Sequence, residues 1–270
     1  MSGKIITFTD ARKEVYCTSP MTKCAAQTYI LIAGAWHNGW FWTGVKEILE
    51  SEGHKVIAVD LPGHGNDTAC LDDQNLESYS RSIANIMEQQ LGQVILVGHS
   101  MAGAVACQAS EYKPEKVKKM VVLCGFLLND GESINGLKDG FKPTDWTKMA
   151  DLGIVDLSFD KKVSYMNPQV AREKFYGELT DDQAKLAILH LGGEAIAAQH
   201  QAVKLGNNFR SIPKIYIKTL QDMMLPLDSQ EKMIQRGVEK VYAINSGHSP
   251  FLTAPRQLAD ILLNIAVDVA

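Results

Sequence analysis

Six short runs rich in Val, Ile and Leu recur along the chain, and each ends in a turn signal. They are almost continuously apolar and do not alternate with polar residues, a pattern typical of strands buried on both faces. The runs span residues 28–34, 55–63, 93–100, 116–125, 214–222 and 239–248. We therefore predict an α/β fold whose mostly parallel central sheet contains these strands and is flanked by helices.

Segments with helical spacing lie between these runs. The predicted helices span residues 40–51, 76–91, 101–112, 228–236 and 255–266. The alternation breaks once, between residues 129 and 210, where helical patterns appear at 167–179 and 180–193 without a buried-strand signal. We predict a core of residues 1–128 and 211–270 and an inserted, mainly helical cap of residues 129–210. Open α/β sheets bind ligands at the carboxyl ends of their strands, so the cap should cover a site there.

Composition narrows the class of protein further. The chain has 270 residues, 46% hydrophobic residues and a net charge of -4, which is typical of a globular domain with a large core. It has no cluster of Lys and Arg, so neither a nucleic acid nor an anionic membrane is an expected partner. The weakly patterned first 27 residues are expected to form an edge strand or hairpin, and they lack the apolar core of a signal peptide.

Cysteine usage bears on the cellular compartment. The five cysteines are odd in number and show no Cys-x-x-Cys pair, which favours reduced thiols. No apolar run approaches the ~18 residues of a membrane span. We predict a cytoplasmic protein, and the composition leaves a homodimer open.

The stretch "LVGHSMAG" places Ser100 where a predicted strand meets a predicted helix. It is close to the G-x-S-x-G pattern of a strained turn that exposes a nucleophilic serine, where bulky neighbours would collide with strand and helix. Ala102 departs from that pattern by one methyl group, while Gly98 and Gly103 keep the turn narrow. A purely structural Gly-Ser turn is the competing interpretation.

A serine hydroxyl becomes a good nucleophile only when a base takes its proton. Asp222 ends one predicted strand and His248 follows the next, which gives the chain order Ser, Asp, His and places all three groups at one edge of the sheet. Asp60 and Asp228 compete as acids, although Asp60 is better placed to hold its own turn and Asp228 to cap a helix. The competing histidines are His37, His54, His64, His99, His190 and His200.

Acyl transfer also needs donors for the oxyanion, worth about 3 to 4 kcal/mol each in a dry site. The backbone amide of Met101 follows the nucleophile, and that of Ala35 lies in the loop after the first strand. Neither a metal nor an organic cofactor is needed for this chemistry. Apolar residues of the cap and nearby loops suggest a substrate pocket, although such side chains commonly form a core instead. The candidates are His37, Trp146, Met149, Tyr165, Phe175 and Met223.

With these residues assembled, about residues 28–268 resemble the α/β-hydrolase superfamily. The likeness is greatest to the branch of plant methylesterases, hydroxynitrile lyases and their bacterial esterase relatives. It rests on "GAWHNGWFW", "VIAVDLPGHGND", "VGHSMAGAV", "QDMMLP" and "SGHSPFLTAP". The resemblance implies a Ser100 nucleophile, an Asp222 acid, a His248 base and oxyanion amides at Ala35 and Met101.

Departures from the branch bear on the reaction. In the plant lyases a lysine follows the catalytic histidine and stabilises cyanide, whereas here positions 249 and 250 are Ser and Pro. The plant relatives also have a histidine where this chain has Ala33. The leading hypothesis is hydrolysis of a small or medium carboxylic ester through an acyl-enzyme. The alternatives are a carbon–carbon lyase with the same triad and a non-enzymatic receptor on a hydrolase fold.

Overall fold

The computed structural model describes residues 25–137 and 146–267, and the side chains of residues 146 and 147 lie outside that description. The strands, in chain order, are β1 (Thr28–Ile32), β2 (Lys55–Val59), β3 (Val94–His99), β4 (Val117–Leu123), β5 (Val155–Leu157), β6 (Val163–Met166), β7 (Gly193–Ala195), β8 (Lys214–Thr219) and β9 (Lys240–Ile244). The helices are α1 (Thr43–Ser51), α2 (Leu76–Glu88), α3 (Ala102–Tyr112), α4 (Trp146–Asp151), α5 (Pro168–Lys174), α6 (Asp181–Leu189), α7 (Ile196–His200), α8 (Asn207–Arg210), α9 (Leu227–Ile234), α10 (Pro250–Thr253) and α11 (Pro255–Val267).

The six predicted strands form one sheet in the order β2-β1-β3-β4-β8-β9, and every neighbouring pair is parallel. This confirms the predicted α/β class. In β3 every residue is buried, as expected for a strand covered on both faces. The turn residues at the end of each predicted run lie just beyond the strand. The parallel arrangement therefore gathers the loops after β1, β3, β8 and β9 at one edge of the sheet.

Helix α3 packs against the sheet through small residues. Its residues from Ala102 to Ser110 are all buried, and they include five alanines or glycines that allow close approach to β3 and α2. Helix α2 begins with a capping box in which the Asn75 and Ser78 side chains bind each other's backbone amides. Helix α3, which begins two residues after Ser100, is therefore packed between β3 and α2.

The inserted segment contains short strands in addition to the helices that the pattern predicts. Between α4 and α7 the short strands β5, β6 and β7 form an antiparallel sheet of their own. These strands have only three or four residues, too few to show an alternating pattern, and β7 reads Gly-Glu-Ala. Helices α5 and α6 do lie within the two predicted helical segments. The division at residues 129 and 210 itself stays a prediction.

The remaining sequence-based expectations concern membrane-spanning helices, the cysteines and the N-terminal residues. Within the described ranges, no helix is both long and apolar enough to cross a lipid bilayer. Cys70, Cys107 and Cys124 are free thiols. The edge strand or hairpin predicted for the N-terminus falls mainly on residues 1–24, which lie outside the described residues.

Candidate active site

Ser100 occupies a strained turn between β3 and α3. Its φ of 53° lies in the left-handed region that residues with a side chain seldom adopt. A Cβ at Gly98 would come within 2.4 Å of the Ala102 carbonyl oxygen, and one at Gly125 within 2.6 Å of the Ser100 carbonyl oxygen. The methyl group of Ala102 is itself accommodated, fully buried. The turn therefore demands glycine at these two positions and tolerates alanine where the strict motif has glycine.

A continuous hydrogen-bond chain joins the three residues that the sequence singles out. The Nε2 atom of His248 lies 3.0 Å from the Ser100 hydroxyl, and its Nδ1 atom lies 2.7 Å from Asp222 Oδ2. His248 and Asp222 are both buried. The loops after β3, β8 and β9 thus bring together groups that are up to 148 residues apart in the chain.

Four donors surround the Asp222 carboxylate. Its Oδ1 accepts from the backbone amides of Met224 at 2.8 Å and Leu225 at 2.7 Å, while Oδ2 accepts from the Thr219 hydroxyl at 2.9 Å and from His248. Such bonds satisfy a buried anion and fix its orientation. Nδ1 of His248 therefore carries the proton, and Nε2 is free to accept the proton of the serine hydroxyl.

The loop after β1 and the turn after β3 each bring one backbone amide to the same edge. Within the described ranges, the amides of Ala35 and Met101 donate no hydrogen bond to protein. Gly34, adjoining Ala35, lies so close to Ser100 that a Cβ on Gly34 would be 2.7 Å from the Ser100 Cβ. Met101 follows Ser100 directly. The arrangement has the two unpaired donors that an oxyanion site requires.

His99 ties this loop to the loop of His248. Its Nδ1 accepts from the Gly34 amide at 3.2 Å, and its Nε2–H donates to the His248 carbonyl at 2.8 Å. Burial lowers the pKa of His99 well below its usual value, and a charge on His248 or His37 would lower it further. His99 is therefore a neutral connector between the two loops and does not act as a base.

His37 is a second neutral histidine in the loop after β1. Its Nδ1–H donates to the Ala35 carbonyl, and its Nε2 accepts from the Tyr176 hydroxyl, each at 2.8 Å. Burial lowers the pKa of His37 to about 3, against the opposing effect of the Ala35 carbonyl. The pocket role predicted for His37 remains a prediction, whereas its observed contacts fix the backbone beside the Ala35 amide.

The model of the "Alpha/beta hydrolase family" matches residues 29–261. The chain belongs to the α/β-hydrolase family. A putative chloroplastic methylesterase 11 of Arabidopsis thaliana is 29% identical over 88% of this chain, which spans only 63% of that relative. A pyrethroid hydrolase of Sphingobium wenxiniae is 28% identical, over 88% of this chain and 86% of the relative. The crystal structure of a pyrethroid hydrolase from Sphingobium faniae has a TM-score of 0.78 and 27% identity, covering 90% and 98% of the two chains.

The other acids and histidines of this α/β-hydrolase have different partners. Asp60 accepts from the backbone amides of Gly39 and Asn66, so it holds its own turn as the sequence suggests. Asp228 is exposed in the first turn of α9. The Nε2 atom of His64 lies 3.1 Å from the buried carboxylate of Glu194. None of these contacts competes with the chain from Asp222 to Ser100.

The predicted pocket residues of the hydrolase differ in burial. Phe175 is buried and stacks on the His248 ring with centroids 5.6 Å apart. Met149 is also buried, whereas Tyr165 and Met223 are about half exposed. The side chain of Trp146 lies outside the described residues. Contact of these five residues with a substrate stays a prediction.

One group of metal-ligating types lies within the site. Atoms of His99, Cys124 and His248 come within 4.8 Å of one another. All four ring nitrogens already have hydrogen-bond partners, among them the Ser100 hydroxyl and the Asp222 carboxylate. Burial raises the pKa of the Cys124 thiol, so it stays protonated. A metal ion here would break the chain of hydrogen bonds, which makes the group a poor metal site.

Sequence reasoning missed the residues of the inserted segment that reach this edge. Glu194 of β7 and Glu178, which follows α5, both accept hydrogen bonds from core loops. Glu178 Oε2 binds the Gly247 amide at 2.7 Å, directly before His248. A single glutamate carries no local signal of the distant groups that it binds. Only the three-dimensional contact distinguishes these two from other acidic residues.

Proposed function

We propose that this protein is a serine hydrolase that cleaves a small or medium carboxylic ester through an acyl-enzyme. The hydrogen-bond chain from Asp222 through His248 to Ser100, beside two unpaired backbone amides, is the observation that carries the proposal. Relatives named methylesterase and pyrethroid hydrolase support the same class of substrate.

Acylation begins when Nε2 of His248 takes the proton of the Ser100 hydroxyl. The serine oxygen forms a bond to the ester carbonyl carbon, and the electron pair of the C=O moves onto its oxygen. The amides of Ala35 and Met101 donate to that oxyanion. When the tetrahedral intermediate collapses, the C–O bond to the alcohol breaks, and the departing oxygen takes the proton from His248. The acyl group remains on Ser100.

Deacylation repeats these steps with water. His248 takes a proton from a water molecule, whose oxygen attacks the acyl carbon. The second oxyanion occupies the same two amides, and its collapse releases the carboxylic acid while Ser100 regains a proton. Asp222 keeps the imidazole oriented and stabilises its positive charge in both steps. No metal or organic cofactor takes part in this scheme.

The lyase alternative lacks a cation at the positions where the plant lyases have one. Ser249 and Pro250 follow His248, and both side chains are buried. Without a positive charge there, a departing cyanide would have no partner from this part of the chain. Ester hydrolysis is therefore the better-supported reaction.

The test is a panel of p-nitrophenyl and methyl esters of graded acyl length, with a cyanohydrin assayed in parallel. We expect multiple turnovers on at least one ester and none with Ser100→Ala. Turnover of the cyanohydrin alone would favour the lyase, and a folded wild type without turnover would favour a ligand receptor. A cytoplasmic location and a homodimer stay predictions from the sequence.

A further inference from the structure

Glu194 is a fully buried carboxylate that joins the inserted segment to three parts of the core. Its Oε1 accepts from the Tyr79 hydroxyl of α2 at 3.0 Å. Its Oε2 lies 3.1 Å from Nε2 of His64, in the loop after β2, and 3.4 Å from the backbone amide of Trp36, in the loop after β1. Burying a carboxylate is unfavourable unless partners compensate, and here three donors from separate elements do so.

The segment that carries Glu194 holds Trp36 through hydrogen bonds to both its backbone and its side chain. Its φ of 65° is unusual for so bulky a residue and is sustained only if the surroundings enforce it. Its carbonyl accepts from the Gly192 amide at 2.8 Å, and its indole N–H donates to the Ser164 hydroxyl at 3.2 Å. That hydroxyl lies 3.4 Å from the Glu194 carbonyl. The strained backbone thus rests on β6, β7 and the residue preceding β7.

The peptide group between Ala35 and Trp36 is fixed on both sides. Its C=O accepts from His37, and its N–H points to Glu194. Displacement of this group would carry the Cα atom of Ala35, which it shares with the preceding peptide, and would therefore move the Ala35 amide, the first of the two oxyanion donors. The carboxylate therefore acts on the site through one intervening peptide.

We propose that Glu194 is a positioning residue, which holds Trp36 and so keeps the Ala35 amide aimed at the oxyanion. The inference rests on the proposed ester hydrolysis. It makes the inserted segment part of the catalytic geometry, in addition to any role in covering the pocket. Glu194 itself touches no reacting atom.

The test compares Glu194→Ala and Glu194→Gln with Gln201→Ala. Gln201 follows α7 and accepts from the Glu77 amide of α2 at 2.9 Å, so its loss removes another bond between the inserted segment and the core without touching the loop after β1. For each variant we would measure kcat, KM, Tm and the affinity for two inhibitors that share one carbon skeleton. The first is a trifluoromethyl ketone, to which Ser100 adds to form an oxyanion. The second is the corresponding methyl ketone, to which Ser100 does not add.

For Glu194→Ala we expect kcat to fall 10- to 100-fold with KM within threefold, since displacing a donor by about 1 Å has effects of this size. Affinity for the trifluoromethyl ketone should fall by a similar factor, and affinity for the methyl ketone should change little. Glu194→Gln should recover much of the loss, because an amide oxygen still accepts from Trp36. Gln201→Ala should lower Tm with kcat nearly unchanged.

Several results would overturn the inference. One is a folded Glu194→Ala protein with wild-type kcat, and another is an equal loss of affinity for both ketones, which indicates general damage to the pocket. If Glu194→Ala does not fold, Glu194→Met replaces it, because Met has a similar length but offers no oxygen to the Trp36 amide. Wild-type kcat and an unchanged affinity ratio of the two ketones in Glu194→Met would overturn the inference equally. A wild type that hydrolyses no ester refutes the proposed function, and this inference with it.

Discussion

Replacing Asp222 by Asn should invert the tautomer of His248. The Oδ1 position faces two backbone N–H groups, from Met224 and Leu225, and only an oxygen can accept from them. Placing the amide NH₂ there would leave two buried donors unsatisfied, at about 1 to 3 kcal/mol each. The new NH₂ group must therefore occupy the Oδ2 position and face Nδ1 of His248.

The consequence for the base follows directly. Nδ1 must then accept, so the imidazole proton moves to Nε2, which lies 3.0 Å from the Ser100 hydroxyl. A protonated Nε2 cannot take the serine proton. The same change in a Ser-His-Asp triad lowers kcat by about 10⁴-fold, which corresponds to about 5.4 kcal/mol of barrier.

The assay is kcat/KM on an activated ester, with the imidazole tautomer assigned by ¹⁵N NMR in the same protein. Asp228→Asn is the matched control, because it makes the same chemical change at an exposed acid at the start of α9. It should leave kcat/KM unchanged. A folded Asp222→Asn protein within tenfold of wild-type activity would refute the reasoning and move the acid role elsewhere.

Three further changes have defined outcomes. Ser100→Ala and His248→Ala should each lower kcat by several orders of magnitude, and the double variant should be scarcely worse than either, because the two groups share one proton transfer; multiplicative losses in steady-state kinetics would contradict this. Gly98→Ala should lower the free energy of unfolding by about 1 to 3 kcal/mol or more and abolish ester turnover, because its Cβ would lie 2.4 Å from the Ala102 carbonyl oxygen; a wild-type urea midpoint would contradict that overlap. Burial lowers the pKa of His64, but the buried Glu194 carboxylate beside it outweighs this effect, so the pKa of His64 is raised in the folded protein. The His64–Glu194 pair therefore stabilises the fold fully below about pH 6.5, and this stabilisation is lost as the pH rises through the raised pKa of His64. His64→Gln should therefore destabilise more at pH 6 than at pH 9 in urea titrations, and an equal or reversed difference would contradict the sign.

The sheet and the candidate triad are predictable because their signals are local. Each strand is a short apolar run, and each reactive group lies within four residues of a strand's end. Parallel strands then bring Ser100, Asp222 and His248 to one edge without further information. The alanine at position 102 is compatible with the turn, since the close backbone approaches occur at Gly98 and Gly103.

The contacts of the inserted segment are not predictable in this way. β7 has three residues, and Glu194 at its centre meets His64, which precedes it by 130 residues. Nothing in the neighbouring sequence distinguishes a buried glutamate from an exposed one. Similarly, no pattern around His37 predicts its two hydrogen bonds, to the Ala35 carbonyl and the Tyr176 hydroxyl, which make it a fixed part of the backbone support. Long-range polar pairing has no period for a sequence pattern to reveal.

The inserted segment contacts both the loop of His248 and the loop of the Ala35 amide, but the second contact is the stronger. Glu178 binds the amide of Gly247 beside His248, yet its side chain is exposed, so solvent competes for that bond and its contribution is small. Glu194 is fully buried and bound by three donors, and losing such a group leaves partners that water cannot satisfy. Movement of this segment should therefore disturb the oxyanion side of the reaction more than the proton-transfer side. A substrate that fits poorly beneath it would then be turned over slowly even when Ser100 and His248 remain aligned.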